Sequence, residues 1–182
     1  MPSLKYERSY APRLVCGVDE AGRGPWAGPV VAAAVILPAG RSRFPKGLTD
    51  SKRTDRQTRE TLFDWLHEHA CIGIGEASVE EIDSLNILRA TLTAMQRAVA
   101  ALAQTPECAL IDGNQLPDLT CESLAIIGGD SQSYSIAAAS IIAKVTRDRI
   151  MATHHETYPH YGFARHAGYG TKAHQDALKQ HG

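Results

Sequence analysis

The sequence predicts an α/β protein in which a mixed sheet of five strands is flanked by helices. Short apolar runs bounded by turn residues alternate with longer segments of helical periodicity. The first two runs are separated by about ten residues, too few for a helical crossover, so we expect them to pair antiparallel. Later spacings are long enough for parallel crossovers, and the two kinds of connection together predict a mixed sheet.

The predicted strands are short, apolar and closed by Gly, Pro or acidic residues. In chain order they are Leu14–Asp19, Pro29–Leu37, Cys71–Ala77, Glu107–Ile111 and Leu124–Ile127. The predicted helices have apolar or small residues three and four positions apart. They are Arg53–His69, Val79–Leu85, Asn86–Ala103, Ser133–Met151 and a short Thr171–Gln180, with a loop at Arg41–Lys52 before the first of them. The helix Ser133–Met151 has a face of Ala and Ser, which predicts close packing on the sheet.

Length and composition favour one ordinary globular domain over residues 1–182. Hydrophobic residues make up 43% of the chain, and the net charge is −1, so any nucleic acid would be held by a local patch or through metals. The four cysteines form no Cys-x-x-Cys pair, which favours a reducing compartment. We find no signal-peptide layout and no apolar run near the ~20 residues of a membrane span. We therefore expect a cytoplasmic monomer without a membrane partner.

Acidic residues recur where predicted strands end. Asp19 and Glu20 close the first strand, Asp112 closes the fourth, and Asp130 follows the fifth. Active groups of open α/β sheets gather outside strand ends, so we expect these carboxylates to share one small volume. Such a cluster requires cations, and oxygen ligands select Mg²⁺ or Mn²⁺. Two such ions are a common device for displacement at phosphorus.

A glycine-rich segment follows the first acidic pair. For Asp19 and Glu20 to share a metal, we expect the strand to stop at about Asp19 and the chain to turn there. Gly22 and Gly24 permit that turn and leave the backbone open to a ligand. Arg23 lies between them, where its guanidinium could hold a phosphate by a forked contact. The alternative is an ordinary turn after a solvated Asp-Glu pair.

Blocks of sequence along nearly the whole chain resemble the type 2 ribonuclease H family, ribonuclease HII. The opening block G-V-D-E-A-G-R-G-P-W-A-G-P-V-V-A-A-A-V, residues 17–35, is highly specific. Further blocks are D-S-K (50–52), E-I-D-S-L-N-I-L-R-A-T (81–91), A-M-Q-R-A-V (94–99), L-I-D-G-N (110–114), G-D-S (129–131), A-A-S-I-I-A-K-V-T-R-D (138–148) and Y-G-F-A-R-H-A-G-Y-G-T (161–171). The blocks occur in the family's order.

The resemblance implies a ribonuclease H-like fold with a small C-terminal helical part, about residues 155–182, that contacts substrate. It implies cleavage of the RNA strand of RNA–DNA hybrids and incision 5′ of ribonucleotides embedded in duplex DNA. The implied site residues are the metal ligands Asp19, Glu20, Asp112 and Asp130, which hold two Mn²⁺ or Mg²⁺ ions with substrate, and the substrate-binding Gly22, Arg23, Gly24, Tyr169 and Lys52. The Gly-Arg-Gly element grips the ribonucleotide, and Tyr169 stacks on the sugar of the following deoxynucleotide.

The sequence departs from the family pattern in two places. No basic residue follows Asp130 in Gly129–Gln132, and the family's basic tail is missing after Gly182. Since each lost phosphate contact lowers affinity, we expect weaker substrate binding than is usual for the family.

Two other functions stay open from the sequence. The first is a protein that binds RNA–DNA hybrids without catalysis, and the presence of all four acids argues against it. A metal-dependent phosphatase or nucleotidyl transferase explains the acids but not the Gly-Arg-Gly element or Tyr169.

Other polar residues have simpler interpretations. Lys52 is as well explained by a solvated loop as by phosphate binding. Lys144 and Asp148 are one helical turn apart and predict a surface ion pair. Ser140 is expected to be a small packing residue. The histidines after residue 153 match no closed zinc pattern, and we expect them to form a solvated, weakly basic rim.

Overall fold

A computed structural model describes residues 1–40 and 44–182 and confirms the predicted class, a five-stranded mixed sheet flanked by helices. The strands are β1 Val15–Ala21, β2 Val30–Ile36, β3 Cys71–Ala77, β4 Cys108–Asp112 and β5 Glu122–Ile126. Residues Arg41, Ser42 and Arg43 of the predicted loop Arg41–Lys52 lie outside the described residues.

The α-helices of the described ranges include every predicted helix and two short ones that periodicity did not indicate. They are α1 Lys5–Ser9, α2 Arg56–His69, α3 Val79–Leu85, α4 Ile87–Ala100, α5 Tyr134–Thr157, α6 Phe163–His166 and α7 Lys172–His181. Helix α2 begins later than predicted because the side chain of Asp55 accepts the N–H of Thr58 and caps it there. Residues Ser51–Arg53 form a separate 3₁₀ turn.

The strand order is β3-β2-β1-β4-β5, which places β1 at the centre of the sheet. The predicted antiparallel pairing of β1 with β2 is confirmed, and β2 pairs antiparallel with β3. Strand β4 pairs parallel with β1, and β5 pairs parallel with β4. The carboxyl ends of β1, β4 and β5 therefore meet at one edge of the sheet.

Helices cover both faces of the sheet. Helix α4 packs on one face through buried alanines such as Ala94 and Ala98, and α2 and α5 pack on the other. The predicted small-residue face of α5 is confirmed by complete burial of Ala137–Ala139. At its start α5 lies so close to β1 that a Cβ on Gly17 would be 2.1 Å from the backbone of Ser135. Small residues on both elements are what allow this approach.

The end of β1 differs from the prediction. The strand does not stop at about Asp19 but continues to Ala21, with Glu20 opposite Ala32 and Ala21 opposite Val31 in the antiparallel ladder. The prediction was wrong because it assigned the turn to the acidic pair, whereas hydrogen bonding to β2 holds both residues in extended conformation. The turn begins at Gly22, which has a φ of +112°.

The four cysteines are free, and Cys16 and Cys108, which lie in apolar runs, are fully buried. Burial raises the pKa of both thiols above the ordinary value. No helix within residues 1–40 and 44–182 is long and apolar enough to cross a membrane.

Candidate active site

The candidate site lies where β4 ends beside the continuing β1. Parallel pairing of the two strands runs as far as Val18 and Ile111, so Asp19 and Asp112 follow next to each other. Beyond that point β1 pairs with β2 alone through its last three residues. This leaves an opening beside β1, and the side chains of both Asp19 and Glu20 reach it although the strand does not turn between them.

A cavity of roughly 150 Å³ occupies this opening and brings together all nine residues that the sequence singled out. They are Asp19, Glu20, Gly22, Arg23, Gly24, Lys52, Asp112, Asp130 and Tyr169. The remaining lining residues are Ala21, Ser51, Ser140 and Lys144. Segments far apart along the chain thus meet at a single concave surface.

Asp19 and Glu20 are held as carboxylates in an unfavourable environment. Asp19 is 5% exposed, and its Oδ1 accepts the N–H of Glu20 at 2.7 Å. Burial, then the charges of Glu20 and Asp112, raises the pKa of Asp19 well above its ordinary value. Burial also raises the pKa of Glu20, although Arg23, whose Nη1 lies 3.3 Å from Glu20 Oε1, opposes this.

Asp112 and Asp130 are joined through the turn after β5. Asp112 Oδ1 accepts the N–H of Gly129 at 2.6 Å, which fixes the turn that carries Asp130 against the end of β4. Burial, followed by the charges of Asp112 and Asp50, raises the pKa of Asp130 to about 6, while Lys52 acts in the opposite direction. Asp130 therefore takes up a proton at a higher pH than an ordinary aspartate when divalent cations are absent.

The acid cluster, defined as Asp19, Glu20, Asp112 and Asp130, fits a site for divalent cations. Its donors are all carboxylate oxygens, the set that Mg²⁺ and Mn²⁺ prefer. Burial raises the pKa of Asp19, Glu20 and Asp130. The four carboxylates outnumber the lining cations Arg23, Lys52 and Lys144, and Lys144 is already paired with Asp148. Across the part of the chain that the structure describes, no three Asp, Glu, His or Cys side chains are already closed into a metal-binding group. Mutual repulsion opposes such closure until cations balance the charge.

Two residues of α5 and one of the 3₁₀ turn complete the floor of the cavity. The hydroxyl of Ser140 donates to that of Ser51 at 2.9 Å, and Ser140 also lowers the pKa of Asp19, against the larger effect of burial. Ser140 is buried, as its prediction as a packing residue required, but it is also in the site. Lys144 forms the predicted ion pair with Asp148 at 2.5 Å, although the pair is partly buried and Lys144 lines the cavity.

The Gly-Arg-Gly segment forms one wall of the cavity and Tyr169 forms the opposite wall. A Cβ on Gly24 would lie 3.7 Å from Cε1 of Tyr169, so the glycine backbone faces the ring directly. Tyr169 is 43% exposed. Arg23 and Lys52 are exposed at the rim. Bare backbone and a flat aromatic ring therefore lie next to each other at the cavity.

The histidine rim is only partly as predicted. His174 is 1% exposed, so its assignment to a solvated rim was wrong. It stacks on His166 with ring centroids 4.8 Å apart, and its Nδ1 lies 3.0 Å from the carbonyl oxygen of Tyr169. The short helix α6 folds His166 back over α7, a contact that helical periodicity cannot indicate.

Sequence reasoning missed Arg147, which is buried directly behind the cavity wall. It lies on α5 one turn after Ala143 and one turn before Met151, and all three are buried on one helix face. That spacing was the signal that could have identified it. Its guanidinium contacts the segments on both sides of the cavity.

Comparisons with known proteins agree in family and fold. A family model described as Ribonuclease HII matches residues 16–182. The Ribonuclease HII of Parvibaculum lavamentivorans is 58% identical, with 100% of this chain and 68% of the relative covered. That of Burkholderia pseudomallei strain K96243 is 55% identical, with 100% and 83% covered. A solved structure of the PCNA:RNase HII complex from Archaeoglobus fulgidus matches with a TM-score of 0.76 and 27% identity, over 92% of this chain and 87% of that chain.

Proposed function

Because this chain belongs to the ribonuclease HII family and is a hydrolase of the ribonuclease H type, we propose that it cleaves at ribonucleotides in two settings. It hydrolyses the RNA strand of RNA–DNA hybrids, and it incises duplex DNA on the 5′ side of embedded ribonucleotides. The products have 3′-hydroxyl and 5′-phosphate ends. The protein acts as a cytoplasmic monomer, and residues 1–182 form one catalytic domain.

One observation supports this proposal above the others. Four carboxylates that attract cations share a cavity of roughly 150 Å³ with a bare glycine backbone and an aromatic ring. A phosphatase site for small esters needs the carboxylates but has no use for the other two walls. The combination favours a substrate with a phosphodiester next to a sugar that must be distinguished.

Asp19, Glu20, Asp112 and Asp130 are the residues that would hold two Mg²⁺ or Mn²⁺ ions. When bound, such ions activate water and stabilise the leaving oxygen in displacement at phosphorus. The protein's part is to hold the four carboxylates at one cavity. Ser140 lowers the pKa of Asp19 and so opposes part of the larger effect of burial on that carboxyl.

Selection of the ribonucleotide falls to the two cavity walls. RNA and DNA differ at one nucleotide by a single 2′-hydroxyl. The exposed backbone of Gly24 can approach that hydroxyl because the residue has no Cβ, while the missing Cβ of Gly22 lets the chain turn tightly against Arg147 and the carbonyl of Pro29. The ring of Tyr169 covers the next sugar and leaves no room for a second hydroxyl, which selects a deoxynucleotide there.

Phosphate binding is assigned to the basic residues at the rim. Arg23 offers a planar fork to a phosphate, and Lys52 offers a point charge beside Asp130. Residues 155–182 extend the contact surface through α6 and α7. The absence of a basic residue in Gly129–Gln132 predicts one phosphate contact fewer and a flatter salt dependence.

The test is incision of a labelled DNA duplex with one ribonucleotide in one strand. With Mg²⁺ or Mn²⁺ we expect a single cut 5′ of the ribonucleotide, no cut in an all-DNA duplex, and loss of cutting in Asp19→Asn. Asp64→Asn, an exposed change on α2, is the matched control and should cut like the wild type.

The proposal fails if the wild type leaves the duplex intact, or if Asp19→Asn incises it at the wild-type rate. Hydrolysis of small phosphate esters without action on nucleic acid would favour the phosphatase alternative. Binding without turnover would favour the hybrid-binding alternative.

A further inference from the structure

Arg147 is a buried cation whose charge no carboxylate neutralises. Its side chain is 1% exposed, and in the described part of the chain no Asp or Glu oxygen lies within 4.0 Å of it. Burial lowers the pKa of its guanidinium from the ordinary value. Burying an unpaired charge is costly, so an apolar residue would be cheaper here if packing were the only requirement.

The guanidinium instead joins two loops that form the cavity walls. Nε donates to the carbonyl of Pro29 at 2.8 Å and Nη2 to that of Ala27 at 2.9 Å. Both acceptors belong to the loop of residues 22–29, called the glycine loop below. Nη1 donates to the carbonyl of Ala167 at 2.8 Å, in the loop of residues 167–170, called the tyrosine loop.

The two loops also touch each other directly, so their separation is defined closely. The N–H of Trp26 donates to the carbonyl of Gly168 at 2.9 Å. A Cβ on Gly168, whose φ is +83°, would lie 2.3 Å from the carbonyl oxygen of Ala27. A Cβ on Gly22 would lie 2.5 Å from Nε of Arg147. The loops thus meet backbone to backbone, with the guanidinium between them.

We propose that Arg147 is a positioning residue that sets the distance between the glycine loop and Tyr169 and thereby sets the selectivity for a ribonucleotide followed by a deoxynucleotide. This rests on the proposed function of the two walls. Arginine suits the task because its planar fork fixes three donors at once, whereas a lysine ammonium cannot span the three acceptors. A sugar hydroxyl is a small feature, and a displacement of about 1 Å is enough to blur such discrimination.

The other tie on Tyr169 does not duplicate this role. Nδ1 of His174 lies 3.0 Å from the carbonyl oxygen of Tyr169, on the side of α7, and its ring lies 6.0 Å from that of Trp26 in the glycine loop. Trp26 and Met151 add van der Waals contacts between the two loops. Among the described side-chain hydrogen bonds, those of Arg147 reach both loops and fix a direction as well as a distance.

The test measures kcat/KM for each variant on two substrates, a duplex with one embedded ribonucleotide and a continuous RNA–DNA hybrid. The ratio of the two values is the readout, because partial loss of folded enzyme lowers both equally and cancels. We expect Arg147→Lys and Arg147→Met to lower the ratio on the order of tenfold or more. Arg149→Met is the matched control on the same helix, because Arg149 pairs with Glu60 and touches neither loop. It should keep the wild-type ratio.

Gly168→Ala should also displace the tyrosine loop from the glycine loop, because the added Cβ would lie 2.3 Å from the carbonyl oxygen of Ala27. Arg147 is intact in this variant, so it tests the proposal even if an Arg147 variant does not fold. It too should lower the ratio. A wild type that prefers the embedded ribonucleotide, together with unchanged ratios in Arg147→Lys and Gly168→Ala, would overturn the role of Arg147 and leave the proposed function standing. A wild type without activity on either substrate would overturn both.

Discussion

The acid cluster and Arg147 are two sets of buried charge on opposite sides of one cavity wall, and the protein compensates them differently. Arg147 donates hydrogen bonds to three backbone carbonyls at 2.8–2.9 Å and needs nothing from outside. The acids face one another, and burial raises the pKa of Asp19, Glu20 and Asp130. Within the described residues, the acids make a single ion pair, between Glu20 and Arg23, at 3.3 Å.

The difference separates structure from chemistry. A charge that is fully hydrogen-bonded by the fold contributes to holding the fold, and its removal leaves orphaned partners. A charge that the fold leaves in excess opposes folding until a ligand compensates it, and such groups cluster at functional sites. The two sets should therefore respond to substitution with opposite signs.

The largest effect is expected for Asp19→Asn, on activity. Loss of one ligand from a cluster that acts as a unit should lower single-turnover incision on the order of 10³-fold or more. In EDTA the same variant should be more stable than the wild type in urea denaturation, because a neutral amide removes the repulsion from Glu20 and Asp112. Lower stability of Asp19→Asn, relative to an Asp64→Asn control, would contradict the comparison.

Arg147→Met should shift stability the other way. Three carbonyls lose their donors in a dry environment, which predicts a loss of about 2–4 kcal/mol in the free energy of unfolding. Arg149→Met breaks a half-exposed ion pair with Glu60 and should cost about 1 kcal/mol or less. Urea denaturation of both variants at one pH measures the difference. Equal losses would show that the buried guanidinium of Arg147 contributes no more to stability than the exposed ion pair of Arg149.

Divalent cations should stabilise the protein through the acids alone. At about 100 times Kd, binding to the folded state adds about 2.7 kcal/mol, and the melting temperature rises accordingly. We expect Mg²⁺ or Mn²⁺ to raise it in the wild type and in Arg147→Lys, but much less in Asp112→Asn. NaCl at matched ionic strength controls for screening. A full shift in Asp112→Asn would remove the acids as the binding site.

The acid cluster was predictable because each member follows an apolar strand, a pattern that survives errors in strand ends. The β1 boundary was misplaced, yet Asp19 and Glu20 still reach the cavity, since β4 ends one residue past Ile111 and leaves β1 open there. The glycine segment was visible for a similar reason. Turn chemistry is local, and local rules hold without knowledge of tertiary contacts.

Arg147 was not predicted because its partners are backbone carbonyls from loops that leave no mark in the sequence. A basic residue on a helix is usually solvated, and only its spacing from Ala143 and Met151 places it on the buried face. Helices α1 and α6 were missed because four or five residues are too few to show a period. The features that were not predicted are therefore those that depend on tertiary contacts, namely the hydrogen bonds of Arg147 and the two short helices.

The smallest predicted effect is on the pH dependence of folding stability. Asp130 of the acid cluster should contribute to it, whereas Arg147 should not. The pKa of Asp130 is about 6 when folded and 3.8 in its ordinary state. The folded protein therefore binds this proton more tightly, so in EDTA the group's stabilising contribution is present below about pH 4 and is lost as the pH rises through about 6. We expect the free energy of unfolding of the wild type, measured in urea, to fall relative to that of Asp130→Asn as the pH rises from about 4 to about 6. The difference between Arg147→Met and the double variant Arg147→Met/Asp130→Asn should fall in parallel, because neither arginine nor methionine at position 147 titrates in this range. A flat difference in both pairs would mean that Asp130 is not under the repulsion that the acid cluster implies.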